Sequence, residues 1–449
     1  MAGIFKAYDV RGIYPEEIDE ATAEAVGVAF PEILDKGGRT APIVVGRDMR
    51  QHSEPLQTAL IKGIRSRGVD VVDIGLVTTP MNYFAVGHLG ASGGIQVTAS
   101  HNPPRYNGFK FSLENARPVS GDSGIPRLEG LVEAPPQRPG SENGELRSVD
   151  ISGAYSQHLL GFLEELPTAR RLKIVVDAAN GMGCIYRSLL EQTGVDLDFL
   201  YFDLDGSFPN HEANPLKLEN LADLCSRVRE TGADLGVAFD GDADRAAFVD
   251  EKGEPIGSDL ATALIAGELL AREPGKAVIY DLRSSRAVAE YIAECGGIPV
   301  RERVGHSFIK ATLRKHEGIF GGELAGHYYF RDNFNADCAL MAVFEVLNLL
   351  RRRGLAMSKI VAPLLRYAKT PEINFEVEDK SGAITELSER FADGRIDYVD
   401  GITVEYPDWW FNVRPSNTEP LLRLVAEATT KTLLAEKQEL LVGLLGEPV

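Results

Sequence analysis

Cysteine is scarce in this chain: there are four among 449 residues, Cys184, Cys225, Cys295 and Cys338, far apart and without paired spacing. That excludes a disulfide framework and a cysteine-based zinc site, and it leaves reduced thiols in or near a core as the expectation. No segment offers the ~20 consecutive apolar residues that a membrane span requires. The first residues, Met1 to Asp9, reach charged positions without the apolar stretch of a secretion signal, so a cytoplasmic location and no membrane partner are expected. Basic runs are missing as well. With 66 acidic against 47 basic side chains and a formal net charge of -19, no Lys/Arg tract is long enough to follow a phosphate backbone, which argues against nucleic acid as a partner. An anionic ligand must then be held by arginines and lysines gathered locally against an unfavourable overall field.

What remains is ordinary globular material, 44% apolar and 25% charged, in a chain too long for a single core. Short β-branched runs recur at Pro42 to Gly46, Val69 to Gly75, Gly94 to Ala99, Lys173 to Asp177, Leu235 to Asp240 and Ala277 to Asp281. Each is followed by turn residues and a helical pattern, which predicts repeated α/β units with mostly parallel strands. A Pro/Gly-rich stretch at 134–145, a Gly/Pro turn from Asp250 to Asp259 ending in a helix-capping Ser-Asp, and the change of style at Ala368 to Glu372 mark candidate domain boundaries. Beyond the last boundary, Glu372 to Val377, Gly401 to Tyr406, Trp409 to Val413 and Leu421 to Ala426 lie close together as strands before a helix from Leu433 to Leu445. An antiparallel α+β domain fits that spacing.

Four motifs carry chemistry. Thr98-Ala99-Ser100-His101-Asn102-Pro103 follows an apolar strand and presents Ser100 where α/β sheets place ligands, although a lone Ser-His pair is more often a turn. Asp240-Gly241-Asp242-Ala243-Asp244-Arg245 sets carboxylates at alternate positions, where they can converge on one hard cation such as magnesium. A calcium loop would use Asp240, Asp242, Asp244 and Glu251, but that pattern needs glycine where Arg245 stands and a helix where a strand precedes it. Gly321-Gly322-Glu323-Leu324-Ala325-Gly326-His327 offers a carboxylate for two sugar hydroxyls, close backbone approach and a proton-carrying ring. Arg414-Pro415-Ser416-Asn417-Thr418-Glu419-Pro420 supplies a guanidinium fork, hydroxyls, an amide and turn N–H groups, a cradle for a non-reacting phosphate or a plain polar hairpin loop.

In this order, and with the opening Tyr8-Asp9-Val10-Arg11-Gly12, the motifs resemble the α-D-phosphohexomutase superfamily, closest to its bacterial phosphomannomutase/phosphoglucomutase type, over essentially the whole chain. The resemblance implies four domains around a central cleft: three similar mixed or parallel-sheet α/β domains at 1–148, 149–250 and 251–367, and an α+β domain with an antiparallel sheet at 368–449. It implies that Ser100 carries the phosphoryl group and that Asp240, Asp242 and Asp244 hold one Mg2+ per chain together with a phosphoserine oxygen. Arg245 would lie beside them, with Arg11 and Lys110 near the phosphoserine. Glu323 and His327 would bind the sugar, and Arg414, Ser416, Asn417 and Thr418 its phosphate. Arg283, where many relatives carry lysine, and His306 are second-rank substrate contacts. Ala325 departs from the family, which commonly has serine there, and so weakens any inference about the preferred hexose.

The implied reaction moves a phosphoryl group between the 1- and 6-positions of a hexose through a hexose 1,6-bisphosphate, which is both intermediate and activator. Lys110, if neighbouring cations lower its pKa, or His327 would take the hydroxyl proton. A phosphomannomutase also using glucose phosphates is expected, ahead of a glucose-specific enzyme; Asn417, where the glucosamine branch has glycine, lowers that branch. A non-catalytic phosphosugar-binding protein predicts a damaged nucleophile or metal loop, and a phosphatase predicts release of free phosphate. The assembly is expected to be a monomer or a homodimer.

Overall fold

The computed structural model describes residues 3–34, 41–119, 124–136, 143–164, 171–416 and 421–449. Their strands form four sheets. In the first, Ile43–Arg47 is flanked in parallel by Val71–Leu76 and Gly93–Val97, and the sheet then continues antiparallel through Tyr106–Leu113 and Asp9–Ile13. The second repeats this plan: Lys173–Asp177 lies between parallel Asp196–Leu200 and Leu235–Phe239, and Ala246–Asp250 returns antiparallel. The third does so again, with Ala277–Asp281 between Ile298–Glu302 and Phe320–Gly322, then antiparallel Tyr328–Phe330. The fourth sheet is antiparallel throughout, built on Ile402–Glu405, Trp409–Pro415 and Leu422–Ala428, with the helix Lys431–Leu445 after it.

Antiparallel pairing is more extensive than the expected mostly parallel strands. The reason is local: each strand leading into a sequence motif is answered by a hairpin partner across that motif, whereas a parallel successor would need a long crossover. The expected cap at Ser258-Asp259 is also different. The helix Ser258–Arg272 has no side-chain cap, and the Asp259 carboxylate instead accepts from Ser285 N at 3.0 Å and binds Lys369. In the last domain the short strand Arg395–Asp397 and the helix Lys380–Arg390 join the strands expected from sequence.

One apolar core runs continuously through the first three sheets, from Val44 and Phe84 through Phe239 and Leu264 to Phe320 and Phe344. The helices Ser258–Arg272 and Ala339–Arg353 are buried over most of their length, so they read as continuous apolar runs and not as one-sided stripes. The last sheet keeps its own core, drawn from Phe375, Phe411, Leu424, Leu441 and neighbours in the same segment. Cys184, Cys225 and Cys338 are buried free thiols and Cys295 is half-buried.

Candidate active site

The serine, aspartate and Glu323 motifs are each the loop between two antiparallel strands, and the three loops interlock. Thr98 to Arg105 joins Gly93–Val97 to Tyr106–Leu113, and Asp240 to Arg245 joins Leu235–Phe239 to Ala246–Asp250. Glu323 to His327 joins Phe320–Gly322 to Tyr328–Phe330. Ser100 is fully buried, and its Oγ donates to Asp240 Oδ2 at 2.8 Å. A Cβ on Gly241 would lie 2.3 Å from the Ser100 carbonyl oxygen, so only glycine lets the aspartate loop come this close. Arg245 and His327 form an isolated antiparallel bridge, and Ala246 N donates to Gly326 O at 3.1 Å.

The aspartates are almost wholly removed from solvent. Asp240 Oδ1 accepts from the backbone N–H groups of Asp244 and Arg245, both at 3.1 Å. Asp242 accepts from Thr79 and from Lys110, whose ammonium also binds Asp244. Burial, with the charges of Asp244 and Asp242 added, pushes the Asp240 carboxyl well above the usual carboxylate range. At Asp242 burial acts in the same direction, but Lys110 outweighs it and the carboxyl is held below its ordinary value. Ligand oxygens of Asp240, Asp242 and Asp244 lie within 4.8 Å of one another, and Asp242 Oδ1 and Asp244 Oδ1 are buried without a hydrogen-bond partner. Hard oxygen donors with spare lone pairs fit a divalent cation such as magnesium. Glu251, the twelfth position of the rejected calcium pattern, accepts from Ser358 N at 3.0 Å and takes no part in this cluster.

Arg11 and Lys110 reach the same place from paired strands, with Asp9 opposite Lys110 and Arg11 opposite Gly108. Arg11 donates to Asn102 Oδ1 at 2.7 Å and Asp9 Oδ2 at 2.6 Å. Burial disfavours the Lys110 ammonium, yet Asp242 and Asp244 more than offset it and raise its pKa. The expected lowering by neighbouring cations is therefore reversed in the chain alone, because carboxylates are its immediate partners. His327 Nδ1 faces Asp337 Oδ2 at 3.0 Å, and Nε2 accepts from Arg245 Nε at 2.9 Å. Asp337 can only accept and Arg245 can only donate, so the proton sits on Nδ1. Asp337 in turn pairs with buried Lys310 at 2.5 Å.

A second group lines up beyond the Glu323 loop. Glu323 accepts from Gly305 N at 3.0 Å and from Tyr329, so each carboxylate oxygen already has one protein donor, and sugar hydroxyls would have to use the remaining lone pairs. His306 packs edge-on to Tyr8 with ring centroids 5.1 Å apart, its Nδ1 buried without a partner. Burial drives its pKa well below the ordinary histidine value. Arg283 is clamped by Asp281 at 2.7 Å and approaches Glu372 at 3.5 Å, and Glu372 also pairs with Arg414 at 2.7 Å. Ser416 N donates to Leu421 O at 2.9 Å, while Asn417 and Thr418 lie outside the described residues.

Sequence reasoning missed Thr79, Asp337 and Lys310, which belong to no motif. Tyr8 was noticed only as part of the opening signature. Its phenol, driven up to about 12 mainly by burial, stands among Arg303, Glu323, Asp400 and Arg414.

Four successive family models match the chain, each described as a domain of phosphoglucomutase/phosphomannomutase: domain I over 2–137, II over 154–253, III over 257–367 and the C-terminal domain over 372–443. A phosphomannomutase from Escherichia coli is 40% identical, covering 98% of each chain. A protein named "Phosphohexose mutases" from Xanthomonas campestris pv. campestris is 39% identical over 96% of each. The crystal structure of a phosphoglucomutase/phosphomannomutase family protein from Burkholderia thailandensis superposes with a TM-score of 0.88 at 36% identity, covering 97% of this chain and 95% of that one. With all four domains matched in order and the serine, aspartate and Glu323 motifs meeting in one cluster, the chain belongs to the phosphoglucomutase/phosphomannomutase family and is a phosphohexomutase.

Proposed function

We propose that this phosphohexomutase interconverts mannose 6-phosphate and mannose 1-phosphate, and glucose phosphates alongside them, by way of phospho-Ser100 and a hexose 1,6-bisphosphate. The observation that carries the reading is the 2.8 Å contact between Ser100 Oγ and Asp240 inside a buried cluster of three carboxylates. Asp240, Asp242 and Asp244, with a phosphoserine oxygen, would hold one magnesium ion. When bound, that ion supplies Lewis-acid stabilisation of the charge on the transferring group.

The protein's own groups divide the remaining work. Arg11, Arg245 and Lys110 surround the serine with positive charge and can bind the equatorial oxygens of the phosphoryl group. As the bond from phosphorus to the sugar oxygen forms and the bond to Ser100 Oγ breaks, the sugar hydroxyl loses its proton. Asp242 and Asp244 hold Lys110 charged, and the Nε2 lone pair of His327 already accepts from Arg245, so His327 would take that proton once Arg245 turns to the phosphoryl oxygens. In the second half-reaction the bisphosphate, turned end for end, returns its other phosphate to Ser100.

Glu323, His306 and Arg283 would contact the sugar, and Arg414 with Ser416, Asn417 and Thr418 the phosphate that is not reacting. Ala325 offers no hydroxyl to the sugar, so this loop does not by itself select among hexoses. A binding-only protein is disfavoured because nucleophile, aspartates and Lys110 are all in place. Coupled assays with mannose, glucose and glucosamine 1-phosphates, on wild-type and Ser100→Ala protein, test the reading. Turnover of the first two and none in Ser100→Ala is expected; preference for glucosamine 1-phosphate, or activity without Ser100, would overturn it.

A further inference from the structure

Ser100 adopts φ of 50°, a left-handed conformation disfavoured for any residue with a Cβ. Such a turn persists only where its surroundings impose it. One local bond helps, Ser100 N donating to Thr98 Oγ1 at 3.0 Å. The rest comes from a side chain 50 residues earlier in the chain. Arg50 has no side-chain exposure at all, and it donates through Nη2 to Ser100 O at 2.8 Å and Asn102 O at 2.6 Å. Through Nη1 it donates to Pro103 O at 2.9 Å and Tyr106 O at 3.0 Å. Four carbonyls along the serine turn therefore converge on one guanidinium.

The guanidinium is itself held from behind. Asp48 Oδ2 lies 3.3 Å from Nε, and Asp48 is fixed in turn by Arg50 N at 3.0 Å and by Ser53 Oγ. The second domain closes the back: the Phe208 ring centre lies 5.1 Å from Cζ, and the backbone at Gly206 approaches so closely that an added Cβ would stand 2.8 Å from Arg50 Cα. Asn102, whose carbonyl Arg50 grips, also accepts from Arg11 Nη1 at 2.7 Å. The same clamp thus sets both Ser100 and one of the cations beside it. Only a planar fork presents donors to four carbonyls at once; a lysine ammonium presents three donors from a single point.

We propose that Arg50, backed by Phe208, is a positioning residue for phosphoryl transfer: it holds the serine turn so that Ser100 Oγ meets the aspartates, without touching sugar or cation. The proposal rests on Ser100 being the phosphoryl carrier. Its test compares full-length wild type, Arg50→Ala, Arg50→Lys, Phe208→Leu and Ser100→Ala. Phosphate incorporation from glucose 1,6-bisphosphate is followed by rapid-quench intact mass, alongside kcat, KM for the 1-phosphate and the thermal unfolding midpoint.

Misplacing a nucleophile by about 1 Å costs roughly 100-fold. Labelling rate and kcat should therefore fall by about that factor in Arg50→Ala, with KM little changed, and millimolar guanidinium should restore part of the loss. Arg50→Lys, which keeps the charge but loses the fork, should stay closer to Arg50→Ala than to wild type, and Phe208→Leu should fall between. Folded Arg50 variants that label Ser100 as fast as wild type would overturn the proposal, as would failure of both Arg50 variants to fold, which would assign the residue to stability. Phosphate appearing on Ser100→Ala protein would instead refute the reading of Ser100 itself.

Discussion

At the scale of single residues, the site depends on contacts too close to tolerate change. Gly241 is one such case, because any side chain there meets the Ser100 carbonyl at 2.3 Å. Gly241→Ala should cost about 1–3 kcal/mol in stability through overpacking and should depress kcat further by pushing the two loops apart. Chemical denaturation and steady-state rates on the same preparation check both effects. The residues of this inner cluster that stand in motifs were legible from sequence: Ser100, the three aspartates and His327 each sit in short contiguous runs whose spacing carries chemical meaning. Asp337, Lys310, Thr79 and Arg50 were not. Each contributes one side chain from an unremarkable stretch, and their roles exist only because folding brings Asp337 to His327 and Thr79 to Asp242.

At the scale of elements, the strands were legible because apolar runs end at turn residues, and several expected runs match the observed strands closely, Lys173–Asp177 and Ala277–Asp281 without shift. Their pairing direction was less so. Periodicity reports burial, and a buried strand reads alike whether its neighbour runs parallel or antiparallel. One connecting segment adds a pH-dependent prediction. His211 lies on the loop that carries Phe208 and Gly206, with Nε2 3.1 Å from the buried Asp177 carboxylate and Nδ1 2.9 Å from Glu212 O. Both nitrogens face acceptors, so the doubly protonated ring suits the site. Burial lowers its pKa, but the bond to Asp177 and that carboxylate's charge prevail and raise it above 6.5. A raised histidine pKa contributes stability that is fully present below about pH 6.5 and is lost as pH climbs through the folded-state value. The gap in denaturation midpoint between wild type and His211→Gln should therefore be widest in mild acid and narrow toward alkaline pH. An unchanging gap would show that the ring's charge does not matter.

At the scale of the whole molecule, the contrast between one core shared by three sheets and a separate core in the fourth sets the mechanics. Polar contacts join the fourth domain to the third, among them Arg301 to Asp397 and Glu405, both at 2.5 Å, and Arg286 Nη2 to Tyr406 O at 2.7 Å. Partly exposed ion pairs are worth about 1 kcal/mol or less each, so this interface can open without unfolding either side. Arg301→Ala should accelerate hydrogen exchange at 395–405 while the shared core stays protected, as peptide-level mass spectrometry would show. Such motion suits a cycle in which a bisphosphate must turn over before its second transfer.

The central claim is that Ser100 carries the phosphoryl group. Intact-mass measurement and peptide mapping after incubation with glucose 1,6-bisphosphate test it most directly. A single added phosphate on the peptide containing Ser100 is the predicted result; a phosphate located on any other residue would contradict the account.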